Sequence, residues 1–186
     1  MSAPSAIRRW PTALALTVWA AQAAASTSDT LDDSVTGFAE ILPLLPLLYV
    51  VINQTGTPRS TWPVLGGGLA LVFGLQALDL VSPAGVMVGL ALAVLLWGMV
   101  RGTPHGRENL ALQAAGAVVF GALAVTGLLV DPDLGRWFVA AGWFCHGIWD
   151  FAHLTLARLK GVVAPTFAEW CAVVDMLVGM ELVFLT

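Results

Sequence analysis

Charge is scarce in this chain. Eight Lys and Arg with twelve Asp and Glu make 11% of 186 residues, against about 25% in a soluble domain, too few to coat a water-facing surface. Cysteine is nearly absent too, and two residues cannot staple a secreted disulfide scaffold. No basic run exceeds a pair and the net charge is -4, which excludes a nucleic-acid-binding surface. What fills the chain is hydrophobic, 58% of residues with a mean hydropathy of +0.84. That composition excludes a disordered chain and makes a lipid bilayer the expected partner and solvent.

A helix crosses about 30 Å of hydrocarbon with roughly 20 mostly apolar residues, and only helices or closed barrels satisfy their backbone there. The apolar runs are continuous rather than alternating, so the expected class is all-α, a polytopic transmembrane helical bundle. Six spans are expected: Thr36 to Ile52, Thr61 to Leu80, Pro83 to Val100, Asn109 to Val130, Leu134 to Leu159 and Pro165 to Thr186. The links between them are short and rich in Pro, Gly and charge, so residues 36–186 read as one six-helix domain. Trp62, Trp97 and Trp137 fall at span ends, where aromatic belts sit. Gly66 to Gly68, Gly85 with Gly89, and Ala117 with Gly121 read as small-residue packing contacts rather than phosphate loops.

The first 25 residues differ. Arg8 and Arg9 precede the run Trp10 to Ala25, which ends in small residues before Asp29, Asp32 and Asp33. That order is the order of a secretory signal peptide; the alternative is a retained signal-anchor or seventh helix. Both readings make residues 26–35 an acidic external segment. Counting basic residues in alternating loops puts Arg8, Arg9, Arg59, Arg101, Arg107, Arg158 and Lys160 on the cytoplasmic side and only Arg136 outside. The expectation is a multi-pass plasma-membrane protein with its mature N-terminus and C-terminus outside.

Ionisable residues inside a span are costly and by default mark function. They concentrate in the last two spans. In the string WFCHGIWDFAHL, Asp150 lies about 40° and His153 about 20° from the direction of His146 at 100° per residue, so the three form one stripe. Trp143 and Trp149, three residues either side of His146, would wall it. The last span runs back from the Lys160 turn, which sets Asp175 level with Asp150 and Glu169 level with His153, with Cys171 between. The expected catalytic set is therefore His146, Asp150, His153 and Asp175, with Trp143, Trp149, Cys171 and Glu169 forming a substrate pocket. Imidazoles and carboxylates in low dielectric suit proton handling.

No cofactor is evident from the sequence. A divalent metal could sit at an Asp150-centred site with one histidine and Asp175, whereas His146 and His153 stand about 10.5 Å apart along the axis, too far for one ion. Cys145 and Cys171 differ in depth and are expected as free thiols. Glu40 precedes Pro43 and Pro46, which should break or kink their helix; with Glu181 at similar outer depth it suggests a polar path. Three functional readings follow: an acid-base or binding site for a small lipophilic molecule, a proton-coupled or cation transporter, and a helix-packing or assembly subunit.

The pattern H-G-x-W-D-x-x-H at residues 146 to 153, followed by W-C-x-x-x-D-x-x-x-G from Trp170 to Gly179, resembles a group of small bacterial polytopic membrane proteins of unknown function. It also resembles, more thinly, the sterol isomerases of the emopamil-binding family, in which an intramembrane His and acids move protons on a carbocation-like intermediate. That resemblance implies that His146, Asp150, Asp175 and Trp149 take those parts. The alkaline ceramidase group is a poorer match, because its Ser-x-x-x-His and His-x-x-x-His pairs are absent.

Overall fold

Every expected span is helical, and the described residues contain no strand. The computed structural model describes residues 9–26 and 30–184; Arg8, Asp29 and the last two residues of the expected final span lie outside them. Helix α1 is Trp10–Ala25, α2 Leu31–Ile41, α3 Leu44–Thr55, α4 Thr61–Leu78, α5 Pro83–Arg101, α6 Gly106–Leu129, α7 Pro132–Thr155 and α8 Pro165–Phe184.

The first expected span is two helices. It begins five residues earlier than its apolar run, because Thr30 and Asp33 form a reciprocal capping box, Asp33 N–H donating to Thr30 Oγ1 at 3.2 Å and Thr30 N–H to Asp33 Oδ2 at 3.0 Å. Part of the stretch expected as an external segment is thus the first turn of α2. The break follows from Pro43 and Pro46, which have no N–H to offer the carbonyls of Ala39 and Leu42. Leu42 O takes the N–H of Leu45 instead, at 3.2 Å. Gly56 ends α3 in the left-handed region at φ 63°.

After the break α3 runs through the middle of the molecule, with Leu44, Leu48, Tyr49, Ile52 and Gln54 all buried. It packs against α4, α5 and α6, and its Tyr49 reaches α7 and α8. Large apolar side chains of α4, α5 and α6, among them Phe73, Leu92, Leu96, Val118 and Val119, are exposed, a surface that suits lipid rather than water. Four helical segments are long and apolar enough to cross a membrane: Leu31–Thr55, Pro58–Leu78, Pro83–Arg101 and Gly106–Leu129. Among the expected small-residue contacts, Gly68 seats Leu44 and Gly121 seats Val88, while Gly66, Gly67 and Gly89 would meet nothing within 4 Å.

Polar contacts tie the helix ends together. Gln54 donates to Gly102 O at 2.9 Å, Trp62 to Thr166 Oγ1 at 3.1 Å, and Ala164 N–H to Thr61 Oγ1 at 3.1 Å. They gather Arg9, Arg59, Arg101, Arg107, Arg158 and Lys160 at one end, with Arg136 near the start of α7 at the other.

Helix α1 lies along α8 and parallel to it. Thr12 donates to Glu169 Oε1 at 2.7 Å and Trp19 to Glu181 Oε2 at 2.7 Å. The Trp10 and Trp62 rings stand 5.7 Å apart. The Arg9 pair with Glu169, at 3.9 Å on an exposed guanidinium, adds little.

Candidate functional site

The short Lys160 turn makes α7 and α8 antiparallel neighbours, and glycine lets them approach. A Cβ on Gly147 would stand 3.3 Å from both Ala172 O and Asp175 Cβ, and one on Gly179 would stand 2.8 Å from the Phe144 ring. Each helix then contributes an i, i+4 pair to the seam, His146 with Asp150 and Cys171 with Asp175. All four side chains are fully buried. His146 Nδ1 stands 2.7 Å from Asp175 Oδ2 and 3.3 Å from Asp150 Oδ2, and Cys171 Sγ lies 3.6 Å and 3.7 Å from the two Asp175 oxygens. The imidazole therefore bridges two carboxylates through one nitrogen.

A third helix completes the cluster. Tyr49, fully buried on α3, donates its hydroxyl to Asp150 Oδ1. Its ring packs 4.5 Å from His153 and 5.7 Å from His146, and Phe120 of α6 meets the His146 ring at 4.9 Å. Sequence spacing does not reveal Tyr49; the available signal is that it is the single tyrosine of the chain, inside an otherwise apolar run.

His153 belongs to a different network. Its Nδ1 lies 2.9 Å from Trp149 O, and because a carbonyl only accepts, that nitrogen carries the proton. Its Nε2 then accepts from Gln113 Nε2 at 3.1 Å, and Gln113, buried on α6, is a second residue that sequence spacing does not reveal. His153 thus touches the cluster through the Tyr49 ring and not by a hydrogen bond of its own. The Trp149 ring lies tilted against His153 at 5.1 Å and edge-on to Phe120 at 5.9 Å.

The glutamates are placed apart from the cluster. Glu169 and Glu181 face α1, and Glu40 accepts from Gln76 at 2.7 Å. Toward the Arg136 end the buried residues beyond the cluster are apolar, Leu42, Val139, Trp143, Val178 and Leu182. Both cysteines are free, Cys145 exposed and Cys171 buried.

Beside the cluster lies an apolar cavity of about 280 Å³, bordered by Trp19, Leu45, Leu69, Trp143, Cys171 and Asp175 among others. Trp143 Nε1 donates to the carbonyl of Phe38, another residue of the border, at 3.2 Å. Within the cluster two buried polar atoms have no hydrogen-bond partner among the described residues, His146 Nε2 and Asp150 Oδ2. No Lys or Arg pairs with these acids there either. One nitrogen, two carboxylate oxygens and one sulfur, all within 4.8 Å of one another, are the donors that could hold an ion. No family model, curated protein or solved structure matches the chain.

Proposed function

We propose that the chain is an integral membrane protein whose His146, Asp150 and Asp175 form an acid-base site for a small lipophilic molecule held in the adjoining cavity. The observation that carries this reading is the shared wall: Cys171 and Asp175 belong both to the buried cluster and to the border of an apolar cavity. Its volume, about 280 Å³, sits at the lower edge of small-molecule pockets. Asp175 is the acid that borders the cavity, and His146 Nδ1, 2.7 Å from its Oδ2, is placed to take or return the proton that Asp175 exchanges. The resemblance to emopamil-type isomerases supports proton transfer as the chemistry. The apolar side chains between the cluster and the Arg136 end speak against a transport path, and the basic end is assigned to the cytoplasm.

The cavity supplies the test. The purified full-length chain in mild detergent is expected to retain a lipophilic molecule by native mass spectrometry, about one per chain. Leu69→Trp, which fills the cavity without touching the acids, should remove it while thermal unfolding stays within a few degrees. Equal retention by both proteins, or by neither, would sink the reading.

The same cavity bears on α1. Val18, Trp19 and Gln22 form part of its border, and two glutamates of α8 find their partners there. These contacts favour a retained seventh helix over a removed signal. N-terminal sequencing of the membrane-extracted protein is expected to start upstream of Trp10; a start near residue 26 would refute this.

A further inference from the structure

The geometry points to a transition-metal site at the seam of α7 and α8, and we propose that His146 Nδ1, Asp150 Oδ2, Cys171 Sγ and an Asp175 oxygen bind one divalent ion of the zinc class. The inference uses the centre of the proposed function but not its cavity.

Spacing is the first argument. Bonds of 2.0 to 2.3 Å in a tetrahedral zinc site set neighbouring donors about 3.3 to 3.8 Å apart. The observed separations are 3.3 Å from His146 to Asp150, 2.7 Å from His146 to Asp175 Oδ2 and 3.7 Å from Cys171 to the same Asp175 oxygen, and no pair exceeds 4.8 Å. Movements of about 1 Å or less, within the reach of side-chain rotation, bring all four to bonding distance. Two i, i+4 pairs on antiparallel helices supply the four corners without any change of backbone.

Charge is the second. Two carboxylates and a thiol are buried together around a single imidazole, and no Lys or Arg pairs with them among the described residues. Burying such a set is costly unless something positive offsets it; one imidazolium can balance only one of the two acids, whereas a divalent ion balances both and leaves a single negative charge once the thiol is ionised. On binding, the imidazole takes its neutral Nε2–H tautomer and the thiol releases its proton.

Orientation is the third. Tyr49 holds Asp150 by Oδ1, which leaves Oδ2, fully buried and without a hydrogen bond, facing the other donors. That is the role an outer-shell partner plays at a metal-ligating carboxylate. The mixed N, S, O donors select a borderline ion such as zinc or cobalt over calcium or magnesium, which take oxygen.

The experiment uses the full-length chain in detergent. Protein from zinc-supplemented cells should carry one zinc per chain by elemental analysis. After chelation it should bind one Co²⁺, with visible bands of a tetrahedral site and a thiolate-to-cobalt charge-transfer band in the near ultraviolet, both displaced by zinc. Cys171→Ser should lose the charge-transfer band, Cys145→Ser should keep it, and Tyr49→Phe should weaken binding about 10- to 100-fold. Metal-free protein from supplemented cells, no cobalt uptake by folded protein, or a charge-transfer band that survives Cys171→Ser overturns the proposal. Zinc binding without a retained lipophile leaves this inference standing and refutes the proposed function; a lipophile on protein that binds no metal does the reverse.

Discussion

His146→Leu is expected to lower folding stability by about 3 to 5 kcal/mol, because it leaves two buried carboxylates facing each other without the ring that separates them. The measurement is reversible unfolding in mixed micelles, followed by circular dichroism. Its companion is the concerted replacement His146→Leu, Asp150→Leu, Asp175→Leu and Tyr49→Phe. Swapping a whole buried polar group for apolar side chains of similar volume is often neutral or stabilising, so the quadruple variant should recover most of the loss while losing ligand and metal. That pairing separates function from glue. If the quadruple variant is as unstable as the single one, the cluster is there to lock α3, α7 and α8 together, and the acid-base reading fails. The hydroxyl of Tyr49 has to go with the acids, since Asp150 is its acceptor and an orphaned buried donor costs about 1 to 3 kcal/mol by itself.

Phe167→Ala carries the second large effect, about 3 to 5 kcal/mol from lost burial and the cavity left behind. Phe167 is fully buried in the first turn of α8, with its ring 5.9 Å from Trp62, 6.2 Å from Tyr49 and 6.2 Å from Trp170. It is the floor on which Tyr49 rests. Removing it frees the phenol ring to rotate, so Tyr49→Phe should cost measurably less in the Phe167→Ala background than in the parent. A double-mutant cycle reads that coupling. Strict additivity would mean that Tyr49 holds Asp150 without support from α8.

The stripe of α7 is legible in the sequence because helical periodicity alone puts His146, Asp150 and His153 on one face, and the short turn at Lys160 alone makes α8 its antiparallel neighbour. Level matching then brings Asp175 and Cys171 to the right depth. Local spacing has no access to what comes from elsewhere. Tyr49 is 101 residues from the acid it binds and Gln113 is 40 residues from His153, and neither lies in a motif. The same limit explains the glutamates. Glu169 reads as a pocket residue and Glu181 as part of a polar path when α8 is considered alone, but their partners Thr12 and Trp19 sit on the helix farthest from them in the chain. The proline break was readable, since it depends only on missing N–H groups, whereas the earlier start of α2 depended on a capping box hidden inside an acidic stretch.

The polar faces of α7 and α8 also govern how the chain is built. Neither helix is among the four segments long and apolar enough to cross by themselves. In a bilayer a lone aspartate at the centre of an inserting helix costs about 2.5 to 3.5 kcal/mol, and Asp150 and Asp175 each put that cost on their own segment. Joined as a hairpin, the two acids face one imidazole instead of lipid, so the pair partitions more favourably than either half. The expectation for these two helices is therefore insertion as a hairpin rather than one at a time.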